Sequence, residues 1–508
     1  MRKLFFGLSI IAIIAVVLST YGFAAEPAKI LRIGTYGEPI RDWDANRIGS
    51  FHETELKDAI FERLVTKKTG NFEIVPGLAK SWEFSKDLKE ITFHLERGWK
   101  FQKGYGEVTV EDVKFSLLRA LDSKWEGTSP PLSLDRVEVL DKDTVKVYLK
   151  YPDTSFISYG LAISAGVMVV PKATEKMSVH EARRNPIGSG PYELETWDPM
   201  EKIILKRFKD YHGKAPYFEK IEYVVFANQE TMELALQKGD IDLGIISYKA
   251  IPTFPKLKGM KVYTGSSASY AWVGMNVTRK PFDDIRVRKA IRYAVDVNEI
   301  LEGAFEGAPK RANSILPPQL LGHWKEAPFY EPDLKKAKNL LAESGYPNGF
   351  TATMVVSPAS RGDLVAPILI EQLKKIGVRV KPDSLTRPAQ VAELQAGNYD
   401  MYFMEYPFAR EPFEATRWFT CEQIFPGGWN MAKWCNKEFD ELRRKAQGMI
   451  DKKKQASLYE GMQKIMDEDA IAIWVHNGVI AIGYKDYIDL EGKVRPDGRL
   501  DLGALGVK

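Results

Sequence analysis

Alternating apolar and polar positions mark two strands in the first fifth of the chain. Trp82 and Phe84 precede the polar segment SKDLKE, and Ile91, Phe93 and Leu95 follow it, each at every second position. In a strand, successive side chains point to opposite faces, so this period of two places the apolar residues on one face. The pattern predicts two strands joined by a short loop.

A capped helix is expected shortly after these strands. Thr109 stands three residues before Asp112, ahead of apolar residues Val113, Leu117 and Leu118 at helical spacing. Threonine at the N-cap and an acidic residue in the first turn both suit the amide-rich, positive end of a helix. Residues 75–117 therefore predict a well-formed α+β segment.

The same patterns continue along the chain and predict an α/β protein. From Pro281 onward long helical patterns run directly into strand-like segments, which is typical of a second α/β lobe. The predicted strands are residues 30–35, two within 137–149, and 192–197, 269–276, 351–356, 378–381, 402–405, 471–475 and 479–484. The predicted helices are residues 53–64, 231–239, 287–295, 296–305, 333–344 and 364–376.

The N-terminal segment has the features of a secretory signal peptide. Arg2 and Lys3 precede an apolar run at residues 4–18, and Gly22 and Ala24 supply the small residues of a cleavage site. A membrane anchor is the alternative, but a spanning helix needs roughly twenty apolar residues. We expect residues 1–24 to be a cleaved signal peptide. No cysteine near the cleavage site is available for lipid attachment, so a free periplasmic chain is expected.

Composition excludes several classes of function. The chain has 508 residues, of which 44% are hydrophobic and 28% are charged, which suits two or three packed cores. Its formal charge of +4 falls to +2 when Arg2 and Lys3 are removed. So small a surplus does not predict nucleic acid or an acidic membrane as a partner. Six histidines also disfavour direct metal binding.

Two cysteines, Cys421 and Cys435, stand in the segment TCEQIFPGGWNMAKWC. In an exported protein such a pair predicts a disulfide. Free thiols or a metal pair are the alternatives, although no histidine nearby would complete a tetrahedral zinc set.

Several segments together resemble the extracellular solute-binding proteins of peptide- and nickel-type ABC importers, family 5, which include dipeptide- and oligopeptide-binding proteins. They occur in the family's order, and the resemblance covers nearly the whole chain after residue 24. These segments are PGLAKSW, ITFHLERGWKF, VTVEDVKFSLLRAL, NPIGSGPYEL, FKDYHGKAPYFEKIEY, ETMELALQKGDIDL, GMNVTRKPFDDIRVRKAIRYAVDVNEI, YEPDLKKAKNLLAESGYPNGF and CNKEFDELRRKA.

The resemblance implies the two-lobed periplasmic binding protein fold of type II, in the large cluster with an extra subdomain and a two-strand hinge. We expect a discontinuous first lobe, an accessory subdomain within it, and a second lobe entered near residues 276–281 and left near 476–480. The expected ranges are 30–72, 186–278 and 478–508 for the first lobe, 73–185 for the accessory subdomain, and 279–477 for the second lobe.

The implied function is capture of a short peptide or peptide-like solute by lobe closure and its delivery to permease subunits in the inner membrane. The resemblance implies a monomer that has no cofactor and catalyses nothing. Cargo alternatives are an oligosaccharide, an opine-like conjugate or a metal chelate. An exported scaffold or chaperone, and last a hydrolase, are the alternatives of other classes. The sequence has no HExxH, GxSxG, Walker or CxxC motif to support an enzyme.

The family's ligand anchor is altered in this chain. In peptide binders an aspartate within G-W-x-x-D-Y-x-D-P receives the ligand's α-amino group. Here Tyr406 stands where tryptophan is usual, and Ala409 occupies the anchor position. An ammonium buried without a counter-charge is costly, so free-amine recognition must use another acid or does not occur, and Glu405 and Glu411 are the nearest candidates. The alternative role of Glu411 is a surface ion pair with neighbouring Arg410.

Other candidate ligand residues lie on both predicted lobes. Arg361, in the loop SPASRGD, could bind a ligand carboxylate with its guanidinium fork or remain a solvated loop charge. Asn276 and Asn430 could hydrogen-bond ligand or tie hinge backbone. The aromatic candidates offer stacking surface, although about half of them are expected to pack in the core. They are Tyr36, Tyr270, Trp272, Tyr406, Trp418 and Trp429.

Overall fold

The structure of this chain is a computed structural model that describes residues 29–37, 40–47, 49–122, 125, 133–163, 166–406, 410–426 and 428–508. The predicted signal peptide, residues 1–24, and the predicted anchor position, Ala409, lie outside the described residues.

The strands are distributed along the whole described chain. They are β1 (Ile30–Tyr36), β2 (Val65–Lys67), β3 (Ile74–Pro76), β4 (Ala79–Phe84), β5 (Glu90–Leu95), β6 (Leu134–Val139), β7 (Thr144–Leu149), β8 (Tyr192–Asp198), β9 (Lys202–Arg207), β10 (Lys220–Phe226), β11 (Leu243–Ile245), β12 (Met260–Met275), β13 (Lys310–Arg311), β14 (Thr351–Val356), β15 (Arg379–Ser384), β16 (Met401–Tyr406), β17 (Ala472–Lys485), β18 (Ile488–Asp489) and β19 (Gly506–Val507).

The α-helices are concentrated in the second half of the chain. They are α1 (Phe51–Ile60), α2 (Val110–Arg119), α3 (Val179–Arg184), α4 (Gln229–Lys238), α5 (Ile285–Ala294), α6 (Val297–Phe305), α7 (Leu334–Glu343), α8 (Gly362–Lys374), α9 (Arg387–Ala396), α10 (Pro412–Arg417), α11 (Lys437–Gln447) and α12 (Lys452–Glu468). The six helices predicted by residue range are confirmed within a few residues, and the predicted capped helix corresponds to α2, whereas α3 and α9 to α12 were not predicted.

One long mixed sheet joins two α/β lobes. Its strand order is β15-β14-β16-β12-β17-β11-β1-β10-β9-β8, with β13 also paired to β17. The strands β1 and β8 to β11 form the first lobe, and β14 to β16 form the sheet of the second lobe. The long antiparallel strands β12 and β17 belong to both. The fold is therefore two-lobed and held together by two neighbouring strands.

The strands that cross between the lobes are longer than the sequence pattern predicts. Residues 471–475 and 479–484 were expected as separate strands, but they form one continuous strand, β17. Likewise β12 begins at Met260 rather than at residue 269. Its first half is only partly buried, so apolar alternation is weak there although the backbone pairs continuously with β17 as far as Ser266. Two register shifts follow, one between Ser266 and Tyr270 and one between Ala271 and Trp272, where the ladder is locally interrupted.

Separate apolar cores support the lobes and the accessory subdomain. The first-lobe core includes Leu31 and Tyr223, and a second-lobe core includes Val273 and Phe403. Since the end of β12 packs in the second lobe, the packing favours a first crossing within β12, near residues 266–270. The exact lobe boundaries stay predictions.

The accessory subdomain contains the strands and the capped helix that the sequence pattern predicts most clearly. Strands β4, β5, β7 and β6 form an antiparallel sheet in that order, and α2 packs against β6 and β7. At the start of α2 the Asp112 carboxylate accepts hydrogen bonds from the Thr109 backbone N–H at 2.8 Å and from its hydroxyl at 2.6 Å. The predicted strand pair and the predicted capped helix are both confirmed.

Candidate functional site

Side chains from both lobes meet beside the crossing strands, and we call this group the crossing-strand site. Tyr36 ends β1, and Tyr248 follows β11 of the first lobe. From the second lobe come Arg361, just before α8, and Glu405, near the end of β16. His476 lies within β17 itself. Three of these five residues, Tyr36, Arg361 and Glu405, are among the predicted ligand residues.

Arg361 links the two lobes in this site. Its Nη1 donates to the Ala304 carbonyl at 3.0 Å and pairs with Glu306 Oε2 at 2.8 Å. Its guanidinium also lies 4.9 Å from the centre of the Tyr248 ring, a cation–π geometry. The residue has a φ of +57°, a left-handed conformation uncommon outside glycine. The loop backbone therefore directs this charge toward a first-lobe aromatic ring.

The two tyrosines of the site share its electrostatic environment. Burial raises the pKa of Tyr248 to about 12, with Glu405 raising it and Arg361 lowering it, while its hydroxyl donates to the Val479 carbonyl at 3.1 Å. Burial and then Glu233 raise the pKa of Tyr36, and Arg361 opposes them. Tyr36 is nevertheless 40% exposed, so it offers an accessible ring at the lobe boundary.

Glu405 and His476 occupy one row of the sheet on either side of Ala271. The Glu405 Oε1 accepts a hydrogen bond from Ser269 Oγ at 3.0 Å. Among the described residues neither ring nitrogen of His476 has a hydrogen-bond partner, although the side chain is buried and its ring lies 4.5 Å from that of Phe305. Burial lowers the pKa of His476, so the neutral imidazole is favoured.

Tyr270 and Trp272 lie inside an aromatic cluster of the second lobe, away from solvent. The Tyr270 hydroxyl donates to the Ala415 carbonyl at 3.2 Å, and Trp272 Nε1 donates to the Tyr402 hydroxyl at 3.2 Å. These contacts satisfy both polar groups within the core. The expectation that some aromatic candidates are core residues is met here, and a ligand role for these two stays a prediction.

Tyr406, Trp418 and Trp429 form a separate aromatic ladder that reaches the surface. The Tyr406 and Trp418 rings are 5.7 Å apart, and those of Trp418 and Trp429 are 5.8 Å apart, both edge to face. Trp429 is exposed at the outer end, whereas Trp418 is half-buried. The ladder can offer stacking surface to a solute that enters beside it.

The side-chain amides of Asn276 and Asn430 form hydrogen bonds with backbone groups. Asn276 Nδ2 donates to the Tyr399 carbonyl at 3.3 Å, and its Oδ1 accepts from the Thr278 backbone N–H at 3.2 Å. Asn430 Nδ2 donates to the carbonyls of Thr420 at 3.0 Å and Trp434 at 2.7 Å. Both side chains hold local chain geometry, the alternative to a ligand contact.

Glu411 is buried and is not part of a surface ion pair with Arg410. Its Oε1 accepts from the Glu414 backbone N–H at 2.7 Å as the N-cap of α10, while Arg410 pairs with Glu414 at 2.9 Å. Burial raises the pKa of Glu411 to about 7, and Lys67 opposes that rise. Lys67 Nζ donates to the Arg410 carbonyl at 2.7 Å. The first lobe thus contacts the altered anchor segment directly.

The predicted disulfide between Cys421 and Cys435 is present, with the Cα atoms 4.5 Å apart. It closes a loop whose ends lie next to α10 and α11 of the second lobe. The alternatives of free thiols or a metal pair are therefore excluded in this structure. In the part of the chain that the structure describes, no group of three or more histidine, cysteine or acidic side chains is arranged to hold a metal ion.

A large cleft that sequence analysis did not predict lies between the accessory subdomain and the second lobe, and we call it the accessory cleft. Its volume is about 910 Å³. One wall is formed by residues 151–160 and the other by α10, α11 and the turn after α11. The sequence signal for this cleft is the pair Arg443 and Arg444. Both residues lie in the segment CNKEFDELRRKA, which contains part of α11.

None of the helices within the described ranges is both long enough and apolar enough to span a membrane. The family model described as bacterial extracellular solute-binding proteins, family 5 Middle, matches residues 73–420. This match covers more than half of the chain and includes the accessory subdomain and much of both lobes.

Similar proteins bind different solutes. The chain is 27% identical to the dipeptide-binding protein of Escherichia coli over 83% of this chain and 84% of that protein. It is 28% identical to heme-binding protein A of Haemophilus influenzae, over 83% and 82% of the two chains. The structure of the binding protein DppA from Helicobacter pylori with the peptide STSA superposes with a TM-score of 0.80 and 25% identity, covering 94% of this chain and 98% of that one.

Proposed function

Because this chain belongs to the bacterial extracellular solute-binding proteins of family 5, we propose that it captures a short peptide or peptide-like solute and delivers it to an ABC permease in the inner membrane. The proposal places the mature protein in the periplasm as a monomer without a lipid anchor. It rests on the family, and on relatives named for binding a dipeptide and the peptide STSA.

The observation that carries a capture role is the meeting of both lobes at the crossing-strand site. The Arg361 guanidinium of the second lobe lies 4.9 Å from the Tyr248 ring of the first. Among the strands that the structure describes, only the neighbouring β12 and β17 run through both lobes in the main sheet. Such a connection permits hinge closure, and a solute held between the lobes would favour the closed state by contacting both.

The charges of the site suit a zwitterionic solute. A planar guanidinium such as that of Arg361 can bind a carboxylate with two parallel hydrogen bonds, in competition with Glu306. Glu405 accepts one hydrogen bond from Ser269 and offers a negative charge to an ammonium group. Glu405 thus replaces the family's aspartate in this proposal, rather than the N-capping Glu411.

Native mass spectrometry of the protein isolated from its own periplasm tests the cargo class. We expect a bound mass that corresponds to a short peptide or a peptide conjugate. A constant mass outside peptide values, such as that of an oligosaccharide or a metal chelate, would replace the proposed cargo while leaving solute capture intact. Absence of any bound solute, together with no compaction in X-ray scattering on adding periplasmic extract, would favour a scaffold or chaperone.

Variants of the site test its location once cargo has been weighed. Arg361→Gln should weaken the identified cargo by about 10-fold or more, because a charge-assisted carboxylate contact is lost. Arg286→Gln is the matched control, since Arg286 is exposed in the same lobe and pairs with Asp284 at 2.6 Å. Equal calorimetric affinities of the two variants would remove Arg361 from the cargo site.

A further inference from the structure

We propose that the accessory cleft is a second binding site and that it takes the carboxylate group of an organic acid. It shares no residue with the crossing-strand site, so the proposal does not depend on how cargo is captured there. Its basis is a buried arginine that faces the cleft and has no described carboxylate in contact.

Arg443 is the central residue of this cleft. It lines the cavity from α11 and is only 7% exposed. Its Nη2 donates to the Phe413 carbonyl at 3.2 Å, and its Nε has no hydrogen-bond partner among the described residues. No described carboxylate lies at ion-pair distance from it either. A buried guanidinium left in this state is costly, so a bound anion would be stabilised strongly.

The surroundings of Arg443 fix the orientation of its fork. Its guanidinium carbon lies 3.7 Å from the centre of the Phe413 ring, so one face of the group is covered by the aromatic ring. A guanidinium held flat in this way presents its edge, which matches the two oxygens of a carboxylate. The apolar wall near it includes Phe156 and Leu458. The arrangement suits an organic acid with a carbon skeleton better than a bare inorganic ion.

A second arginine adds positive charge to the same cleft. Arg417 Nη1 contacts the Tyr159 hydroxyl at 3.2 Å across the two walls, and no ion pair of Arg417 is formed with a described carboxylate. Burial lowers the pKa of Arg443, and Arg417 is among the charges that lower it further. By contrast Arg444 is paired with Glu441 at 2.7 Å. The unpaired positive charge is therefore concentrated at Arg443 and Arg417.

The acidic residues of the cleft are engaged elsewhere or lie on its rim. Asp153 accepts from the Ser155 backbone N–H at 2.9 Å and from its hydroxyl at 2.5 Å. Asp440 accepts from the Cys421 backbone N–H at 3.2 Å. Glu422 is exposed, and its charge acts on Arg443 without a direct contact. If Glu422 competes with the ligand, Glu422→Gln should strengthen carboxylate binding.

Hydrogen bonds join the two walls of the cleft at Thr154. The Thr154 backbone N–H donates to the Gln447 carbonyl at 2.8 Å, and the Thr154 hydroxyl donates to the same carbonyl at 3.0 Å. These bonds connect the accessory subdomain to the end of α11. A volume of about 910 Å³ beside them is within the range of roughly 300–1,000 Å³ typical of small-molecule sites.

Isothermal calorimetry of the full chain with succinate tests the proposal, with dimethyl succinate as the uncharged probe and inorganic phosphate as the competing anion. We expect saturable binding of succinate, none of the diester, and weaker binding of phosphate. Arg443→Gln should weaken succinate by about 10-fold or more. Arg443→Lys, which keeps the charge but lacks the fork, should weaken it several-fold. Circular dichroism establishes that each variant is folded.

The outcomes separate this site from the cargo site. Arg286→Gln, the exposed control of the second lobe, should leave succinate binding unchanged. If succinate affinity falls in Arg361→Gln and not in either Arg443 variant, the carboxylate binds at the crossing-strand site and the proposal is overturned, while cargo capture stands. No saturable succinate binding would also overturn it. Tighter binding of phosphate than succinate, lost with Arg443, would reject the carboxylate class.

Discussion

Buried arginines are treated differently in two regions of this molecule. In the first lobe Arg499 donates to Asp497 at 2.6 Å and also to Asp58, and Asp58 pairs with Arg63 at 2.7 Å. Burial by itself lowers the pKa of Arg499, but these carboxylates outweigh burial and raise that pKa overall. In the accessory cleft Arg443 is equally buried, but none of the carboxylates that the structure describes contacts it, and burial lowers its pKa.

The comparison separates charges that hold the fold from a charge available to a ligand. A buried pair costs desolvation energy that is offset only while both partners remain, so removal of one partner is severe. A buried charge without a partner already bears that cost in the folded state. Replacing it by an apolar side chain of similar volume should therefore cost little stability and remove only binding.

The largest effect is expected at the paired arginine. Arg499→Met should lower the free energy of unfolding by about 3–5 kcal/mol, because it leaves Asp58 and Asp497 buried with fewer counter-charges. Urea denaturation followed by circular dichroism measures this change. The exposed Arg286→Met serves as control and should change stability by less than about 1 kcal/mol. Similar values for the two variants would show that the first-lobe cluster is not structural.

A smaller loss of stability is expected when the disulfide next to the accessory cleft is removed. Replacing Cys421 and Cys435 together by serine removes a link across a sequence separation of 14 residues. The chain-entropy relation gives about 3 kcal/mol for a loop of that size. Wild-type protein under reducing conditions should show the same shift in urea midpoint. A double variant as stable as the oxidised protein would contradict the prediction.

The pH dependence of stability should depend on Glu411, a buried acid of the second lobe. The folded-state pKa of Glu411, about 7, lies above the unfolded value of 4.5. The folded state therefore keeps the proton of Glu411 to a higher pH than the unfolded state does. The contribution of this group to the free energy of unfolding is fully present below pH 4.5 and is lost as the pH rises to about 7. The slope attributable to one such group is at most about 1.4 kcal/mol per pH unit.

The variant Glu411→Gln isolates the contribution of Glu411 to the pH dependence of stability. Glutamine retains an oxygen for the Glu414 N–H but cannot lose a proton. Urea denaturation at pH 5, 6 and 7 should show a flatter profile for the variant than for wild type. Parallel profiles would place the pH dependence on other groups. Lys67, whose pKa burial lowers to about 8, acts with the opposite sign and above this window.

The smallest effect on stability is expected at the unpaired arginine. Arg443→Met should change the free energy of unfolding by no more than about 1 kcal/mol, because the lost stacking on Phe413 is offset by relief of a buried charge. The same urea experiment measures it beside Arg499→Met. A loss of 3 kcal/mol or more would show that Arg443 is a structural residue, and the contrast between the two regions would disappear.

Local patterns predicted most elements in which one face is apolar and the other polar. Helix α6 and strand β14 were predicted within a residue of their bounds, because spacing alone identifies such faces. The pattern failed in β12 and β17, which cross between lobes and change the surroundings of their side chains along their length. It placed the end of β12 and both ends of β17 within a residue, but it missed the first half of β12 and divided β17 in two, since backbone pairing rather than burial sustains these strands through the crossing.

The candidate site was only partly predictable for a related reason. Tyr36, Arg361 and Glu405 were candidates by residue type and position, and the structure brings them near one another. Tyr248 and His476 were missed because a tyrosine in a short turn and a histidine in an apolar strand have no motif. Ala409, the altered anchor position, lies outside the described residues, so its role stays a prediction.

The sequence by itself determined the family, the α/β class, the disulfide pair and the absence of the expected anchor aspartate, because each depends on residue identity and spacing along one segment. Only the tertiary structure decided which charges are balanced. Arg410 and Arg443 are the same residue type on neighbouring parts of the second lobe, yet one pairs with Glu414 and the other faces an open cleft. Electrostatic pairing depends on distances between distant segments, and those distances exist only in the folded chain.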